Sequence, residues 1–285
     1  MPKFALSEIF IACVFFSAAV QAADEAPAPV RIVGSGAISR PLSLAVPILI
    51  ERGMLVKVTA IPGSTAAMTA VGSGAADIAL AIRPMTGEDR APYPQRLFHE
   101  TLIGYQALAL AVPNDVWNSG ARVLTREQIR QIYEGEVRNW KAVGGEDRPI
   151  KYFNPEQGIG IWEFFVTWLY GDIRKAPLGK DFETATAGRE TRDIVEFTSG
   201  SLALLSPLLV DRKGVHALAV QNDNGEAIEP TLPNIYNKSY PIERPLLLIT
   251  GEKPAGEVKK VIDFMCGPEG QALIKKSEFV PLQSP

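Results

Sequence analysis

Patterns typical of strands and helices alternate along residues 30–82, and this alternation constrains the fold more than any other feature. The apolar run Val30–Val33 precedes a glycine-rich turn and a helical pattern over Pro41–Arg52. A second strand is predicted over Leu55–Ile61, an Ala-rich helix over Thr65–Val71, and an apolar strand over Asp77–Ile82. This order predicts an α/β fold with a mostly parallel sheet and crossover helices.

The run Leu102–Val112 (LIGYQALALAV) is long enough to leave this first unit and enter a second one. Strand and helix patterns alternate again beyond it. Helices are predicted over residues 125–134, 160–169 and 189–197, and strands over 150–153 and 202–205. We therefore expect two lobes with a cleft between them, which is where ligands commonly bind in two-lobed proteins.

The N-terminus has the pattern of an export signal. Lys3 gives a short basic start, the 12-residue run Ile9–Val20 is apolar, and Val20-Gln21-Ala22 has the small-x-small form of a cleavage site. The apolar run is shorter than the roughly 20 residues that a membrane span needs. We predict a signal peptide over residues 1–22, a short leader over 23–29, and a periplasmic protein.

Composition argues against several classes of function. A formal net charge of −3 gives no electrostatic basis for binding nucleic acid. The two histidines, His99 and His216, are not tied to a nucleophile, and nucleophile-elbow, zinc and P-loop motifs are absent from the sequence. Cys266 is expected to be a buried small hydrophobic residue. We expect no enzymatic activity, no cofactor and no bound metal.

The segment Leu124–Phe165 carries a specific scaffold: LTREQIRQIYEG as a helix, then NWKAVGG as a turn, then DRPI leading into a strand. It resembles the central segment of the periplasmic phosphate-binding proteins of ABC uptake transporters, which are type II solute-binding proteins. The resemblance extends to the return strand in SYPIERPLLLIT, near Tyr240, and to the final segment EVKKVIDFMCGPEGQALIKKSEFVPL.

The resemblance implies two lobes joined by two crossing strands. The first lobe is expected to be discontinuous, made of residues 30–108 and 243–285, and the second to span residues 109–242. It also implies a hinge at the crossing strands, so that a solute in the cleft is enclosed when the lobes close.

Three segments of the first lobe supply candidate ligand contacts by resemblance. Ser64, in the turn Gly63-Ser64-Thr65, occupies the position of an anion-binding serine, and Thr65 follows it at the start of a helix. Ser39 follows the glycine-rich turn, where either helix capping or a contact with the ligand suits it. Ile82 stands where the family has a carboxylate, and the next residue, Arg83, offers a cation to an anionic group.

The second lobe keeps the frame of the family's site and changes its side chains. The family has an arginine, then a Ser-Gly-Thr turn at a helix start, and all of these grip phosphate. This chain has Pro155 in the arginine position and the sequence GIGIW from Gly158 to Trp162. Gly160 allows close backbone approach. Ile161 replaces a hydroxyl, and Trp162 offers a ring for stacking on an apolar or aromatic ligand.

The sequence leaves two classes of function open. The first is a solute-binding receptor that captures a small solute, an anion by family, works as a monomer, and delivers the solute to an ABC permease. Within it, a receptor for an apolar or aromatic ligand is an alternative. The second is a non-transport protein that uses the same scaffold for partner binding, sensing or envelope assembly.

Overall fold

The computed structural model describes residues 28–34, 36–61, 63–157, 160–177, 183–185, 188–211 and 213–283. The predicted signal peptide and most of the predicted leader lie outside these ranges, as do Gly158 and Ile159. Within them, no helix is both long and apolar enough to span a membrane.

The first lobe is built on a five-stranded sheet. Its strands are β1 (Val30–Gly34), β2 (Val56–Ala60), β3 (Ile78–Ala81), β4 (His99–Ala107) and β12 (Glu243–Thr250), in the spatial order β2-β1-β3-β12-β4. The predicted strand–helix–strand order is confirmed, because β1 pairs in parallel with both β2 and β3. The helices of this lobe are α1 (Arg40–Glu51), α2 (Gly63–Gly72), α3 (Gly87–Arg90), α9 (Gly256–Cys266) and α10 (Pro268–Lys276).

The second lobe is built on a mixed sheet of seven strands. These are β5 (Ala109–Pro113), β6 (Val123–Leu124), β7 (Lys151–Pro155), β8 (Glu183–Ala185), β9 (Ser201–Leu205), β10 (Val215–Gln221) and β11 (Ala227–Ile228). The order is β11-β10-β5-β9-β7-β8, with β6 beside β10. The helices are α4 (Asn114–Asn118), α5 (Arg126–Tyr133), α6 (Gly160–Tyr170), α7 (Arg189–Phe197) and α8 (Leu232–Tyr236).

Two antiparallel strands connect the lobes. The chain leaves the first lobe at the end of β4 and returns in β12, with Arg244 opposite Gln106 in the register. The single long strand predicted over Leu102–Val112 is instead two strands that break at Leu108. The Leu108 N–H donates to the Ile242 carbonyl at 3.0 Å, and the buried Tyr240 hydroxyl donates to the Leu108 carbonyl at 2.7 Å. These bonds satisfy the backbone where it passes from one sheet to the other.

Helices α9 and α10 pack closely because Gly270 has no side chain. A Cβ added at Gly270 would lie 2.3 Å from the Phe264 carbonyl oxygen and 2.4 Å from the Met265 Cα. Both obstacles are backbone atoms at the end of α9, so they do not move aside without displacing the helix. Cys266, at the end of α9, is half-buried rather than buried.

We expect Gly270→Ala to lower the free energy of unfolding by about 1–3 kcal/mol, because overpacking outweighs the better helix propensity of alanine. Gly87→Ala is the matched control, since a Cβ there meets no atom within 4 Å. Denaturant unfolding of both variants measures the difference. Equal stabilities would contradict the close packing of α9 and α10.

Candidate functional site

A cavity of about 130 Å³ lies between the lobes, next to the crossing strands. Both lobes contribute to its wall, which includes Arg40, Gln106, Ile161, Ser206, Ser277 and Glu278. The Ser206 hydroxyl, from the second lobe, donates to the Glu278 carbonyl, from the first lobe, at 2.7 Å. The cavity is therefore formed by the approach of the two lobes.

Two larger cavities lie elsewhere. One of about 280 Å³ is lined by residues of the first lobe, including Arg31 and Arg96, and one of about 380 Å³ by residues of the second lobe, including Trp117 and His216. Each is lined by a single lobe, so a ligand there would not favour closure of the cleft. The cavity between the lobes is for that reason the better candidate site.

Two helices begin at this cavity. Helix α1 starts at Arg40 and α6 starts at Gly160, and α6 contacts the 3₁₀ turn Gly36–Ile38 that precedes α1. The first turn of a helix has free N–H groups and the positive end of the helix dipole, so an anion is favoured there. Two of the segments predicted to form the site, the turn before α1 and the start of α6, thus lie together, with Ile161 in the wall of the cavity. Ser64, Thr65 and Arg83 are not among the residues that line this cavity.

Ser39 lies at the N-cap position of α1, but its hydroxyl does not cap the helix. The hydroxyl donates back to the Gly36 carbonyl at 2.9 Å. The backbone of Ser39 has helical φ and ψ angles, which do not direct the side chain toward the helix amides. The first amides of α1 are therefore left without a side-chain cap, next to the cavity.

Ser64 lies in the first turn of α2 rather than in a turn before it, because this helix begins at Gly63 and not at Thr65 as predicted. Gly63 has a φ of +76°, a left-handed conformation that glycine adopts readily. Ser64 is buried, and its hydroxyl accepts a hydrogen bond from the Ile82 N–H at 3.1 Å. The hydroxyl thus joins α2 to the end of β3.

Arg83 is held in an ion pair. Its guanidinium donates to both carboxylate oxygens of Asp89, at 2.6 and 3.0 Å, and to the Thr65 hydroxyl at 2.9 Å. The Asp89 side chain is only 6% exposed, and its hydrogen bonds with Arg83 lower the pKa of this carboxyl well below its ordinary value. Arg83 and Thr65 lie together beside the start of α2, and the charge of Arg83 is already balanced.

Trp162 belongs to the core of the second lobe. Its ring is buried, and its indole N–H donates to the Tyr133 hydroxyl at 3.0 Å. The expectation that Trp162 stacks on a ligand does not fit this position, because consecutive residues of a helix point in different directions. Ile161, one residue earlier, faces the cavity instead.

The sequence patterns did not single out two residues of the crossing strands, one of which lines the cavity while the other bonds to it. Gln106 is buried in β4, lines the cavity, and accepts a hydrogen bond at 2.9 Å from Arg244 in β12. The available signal was Gln106 and Arg244 as polar residues in two mainly apolar segments, YQALAL and ERPLLLI.

The histidines lie apart from this site. His216 is buried, stacks on Trp117 with ring centroids 4.8 Å apart, and has its Nε2 atom 2.7 Å from the Asn114 side-chain oxygen. His99 is exposed at the start of β4. Among the described residues, no group of three or more His, Cys, Asp or Glu side chains is arranged to hold a metal ion.

Removing the Ser64 hydroxyl leaves the Ile82 N–H without its partner in a buried site. We expect Ser64→Ala to reduce the free energy of unfolding by about 1–3 kcal/mol. Ser73→Ala is the matched control, because the exposed Ser73 hydroxyl at the other end of α2 donates only to the Ala70 carbonyl. Thermal and denaturant unfolding measure both changes. A Ser64 variant as stable as the Ser73 variant would show that the hydroxyl does not join α2 to β3.

The lowered pKa of Asp89 makes stability depend on pH. A carboxyl whose pKa is lower in the folded protein stabilises the fold above its unfolded pKa of about 4, and this contribution is lost as the pH falls below that value. We expect wild-type protein to lose stability on acidification more steeply than Asp89→Asn. Unfolding measured between neutral and strongly acidic pH checks this. Parallel curves for the two proteins would contradict the ion pair.

Comparison with known proteins agrees with this architecture. The family model described as the PBP superfamily domain matches residues 20–269. The phosphate-binding protein PstS of Staphylococcus saprophyticus is 27% identical over 204 residues, which are 68% of this chain and 60% of the relative. PstS of Borreliella burgdorferi is 26% identical over 215 residues, which are 73% of each chain. The chain thus spans about 60% of the length of the staphylococcal relative.

Solved structures confirm the predicted two-lobed fold. The crystal structure of PstS from Borrelia burgdorferi superposes with a TM-score of 0.70 at 23% identity, covering 90% of this chain and 99% of that one. A possible phosphate-binding protein from Planctomyces limnophilus gives 0.76 at 20% identity, covering 90% and 93%. An ABC-type phosphate transport receptor from Vibrio cholerae gives 0.68 at 25% identity, covering 89% and 100%.

Proposed function

The chain belongs to the PBP superfamily, and we propose that it is a periplasmic receptor that captures a small oxyanion in the cleft and delivers it to an ABC permease. Relatives with this fold are named phosphate-binding proteins and phosphate transport receptors. Inorganic phosphate is accordingly the first solute to test. Export by the predicted signal peptide would place the receptor on the side of the membrane where such solutes are captured.

The observation that carries this proposal is the cavity shared by the two lobes. Arg40 contributes from the first lobe, Gln106 from a crossing strand and Ile161 from the second lobe. A ligand that contacts both walls does so fully only when the lobes are closed. It therefore binds the closed state more tightly and shifts the equilibrium toward it, which is the signal that a permease partner can recognise.

The character of the wall favours an oxyanion. Helices α6 and α1 both begin beside the cavity, so the positive ends of their dipoles favour an anion bound there. Pro41 supplies no N–H in the first turn of α1. Arg40 adds a cation that makes no salt bridge with the part of the chain that the structure describes. Isoleucine at position 161 adds no donor, so backbone amides and cations carry the recognition.

The first experiment is a calorimetric titration of inorganic phosphate into protein that has been unfolded and refolded to remove any ligand carried through purification. We expect micromolar or tighter binding, with a rise in melting temperature because phosphate binds the folded state. No heat and no thermal shift at millimolar phosphate would contradict the oxyanion receptor. That result would direct the search to apolar ligands and to the non-transport role.

Ile161 offers a sharp test of where the anion lies. Ile161→Thr adds a hydroxyl donor at the start of α6, and Ile161→Val has almost the same shape without the hydroxyl. We expect the Thr variant to bind phosphate about five- to tenfold more tightly than the Val variant, the effect of one added hydrogen bond. Calorimetry of the two variants measures the ratio. Equal affinities would show that the anion does not reach the start of α6.

A further inference from the structure

We propose that Arg244 is a ligand-contacting residue at the floor of the cleft, where its guanidinium takes the negatively charged group of the solute. This inference rests on the proposed function and adds to it a specificity-determining cation from the crossing strands. The chemistry it implies is an ionised oxyanion, either free or as the charged end of a larger solute, because a guanidinium offers two parallel donors to such a group.

The surroundings of Arg244 fix its position and leave its donors free. The Nε atom donates to the Gln106 side-chain oxygen at 2.9 Å, and the guanidinium carbon lies 4.2 Å from the centre of the Phe164 ring. Within the described residues, its two terminal amino groups make no hydrogen bond or salt bridge. These amino groups are not fully buried either, since the buried side-chain atoms that lack a partner in that part of the chain do not include them.

These contacts place the guanidinium beside the cavity between the lobes. Gln106 lines that cavity and holds one edge of the guanidinium. Phe164 lies in α6 three residues after Ile161, hence on the same side of the helix, and Ile161 also lines the cavity. The free edge of Arg244 is therefore within reach of a solute that contacts Gln106 and Ile161.

The positive charge of Arg244 is energetically unfavourable in this position. Burial lowers the pKa of the guanidinium to about 9, and the neighbouring carboxylate of Glu163 acts in the opposite direction. Glu163 forms no salt bridge with Arg244 among the described residues. Removing a cation from water without a paired anion opposes folding, and an anionic ligand would supply the missing partner.

Several other arginines of the chain differ from Arg244, because they are paired with carboxylates. Arg83 pairs with Asp89, Arg130 with two glutamates, and Arg192 with Glu196 and Asp211. These arginines have carboxylates against their terminal amino groups. Arg244 has an amide oxygen at Nε, an aromatic ring against its face, and terminal amino groups that make no bond within the described residues, beside a residue that lines the cavity. An arginine held in this manner is arranged for a partner that comes from outside the chain.

The position of Arg244 also links binding of an anion to closure of the cleft. Arg244 lies in β12, a crossing strand, and its guanidinium packs on Phe164 of the second lobe. An anion that bonds the amino groups and also contacts Ile161 of α6 links the crossing strand to the second lobe. It makes both contacts only when the second lobe approaches, so its binding favours the closed state.

The experiment compares phosphate binding by Arg244→Met, Arg244→Lys and the wild type. Methionine keeps a flexible apolar stem for packing on Phe164 and removes the donors, whereas lysine keeps the charge and loses the paired donors. The control is Arg126→Met, because Arg126 lies 5.3 Å from the centre of the Trp168 ring of the same helix α6 but does not line the cavity. Melting temperatures without phosphate report folding of each variant.

We expect Arg244→Met to weaken inorganic phosphate binding by about tenfold or more, the effect of losing a charged hydrogen-bond donor. Arg244→Lys should fall between this variant and the wild type, and Arg126→Met should bind like the wild type. Wild-type affinity in a folded Arg244→Met protein would overturn the assignment and leave the proposed receptor intact. Absence of phosphate binding by the wild type itself would overturn both.

Discussion

The antiparallel pairing of β4 with β12 is the interaction on which the positions of both lobes depend. It brings the outgoing and returning chain together, with Arg244 opposite Gln106 and the Leu108 N–H bonded to the Ile242 carbonyl. At the same crossing, the buried Tyr240 hydroxyl donates to the Leu108 carbonyl. Because the lobes meet through these strands, a small change in the strands' backbone angles is enough to open or close the cleft.

Some arginines near the cleft are paired with carboxylates of the protein, and others are not. Arg83 is held by Asp89, and its electrostatic effect on a solute is reduced accordingly. Arg40 at the start of α1 and Arg244 on the crossing strand keep their terminal amino groups free of protein carboxylates within the described residues. Together with the starts of α1 and α6, they bring positive charge to the cavity region, whose wall also includes Glu278, in a chain whose formal net charge is −3. Local charge, rather than net charge, determines what the site attracts.

Most of the fold could be predicted from the sequence, because strand and helix periods and glycine-rich turns are local signals. The parallel order of β1, β2 and β3 and the ending in α9 and α10 follow the predicted pattern. The break at Leu108 could not be predicted, since the apolar run LALAV continues through it and only the Ile242 and Tyr240 contacts reveal the change of sheet. The limits proposed for the lobes, 30–108 with 243–285 and 109–242, fall at this crossing.

The site was less accessible to sequence reasoning, because it depends on where side chains point. Ile161 and Trp162 are neighbours in the chain, yet one lines the cavity and the other bonds Tyr133 in the core. Arg83 has its partner six residues away, beyond a turn, and the sequence alone does not distinguish a paired arginine from a free one. Arg244 and Gln106 are 138 residues apart and meet only through the crossing of the strands.

Closure of the cleft around an oxyanion is the central claim, and a distance measured across the cleft tests it most directly. Leu97 in the first lobe and Phe197 in the second are 82% and 83% exposed, so both accept a spin label after replacement by cysteine. Cys13 and Cys266 are replaced by serine in the same protein. We expect saturating inorganic phosphate to shift the distance distribution to a narrower population with the lobes closed. An identical distribution with and without phosphate would contradict the account.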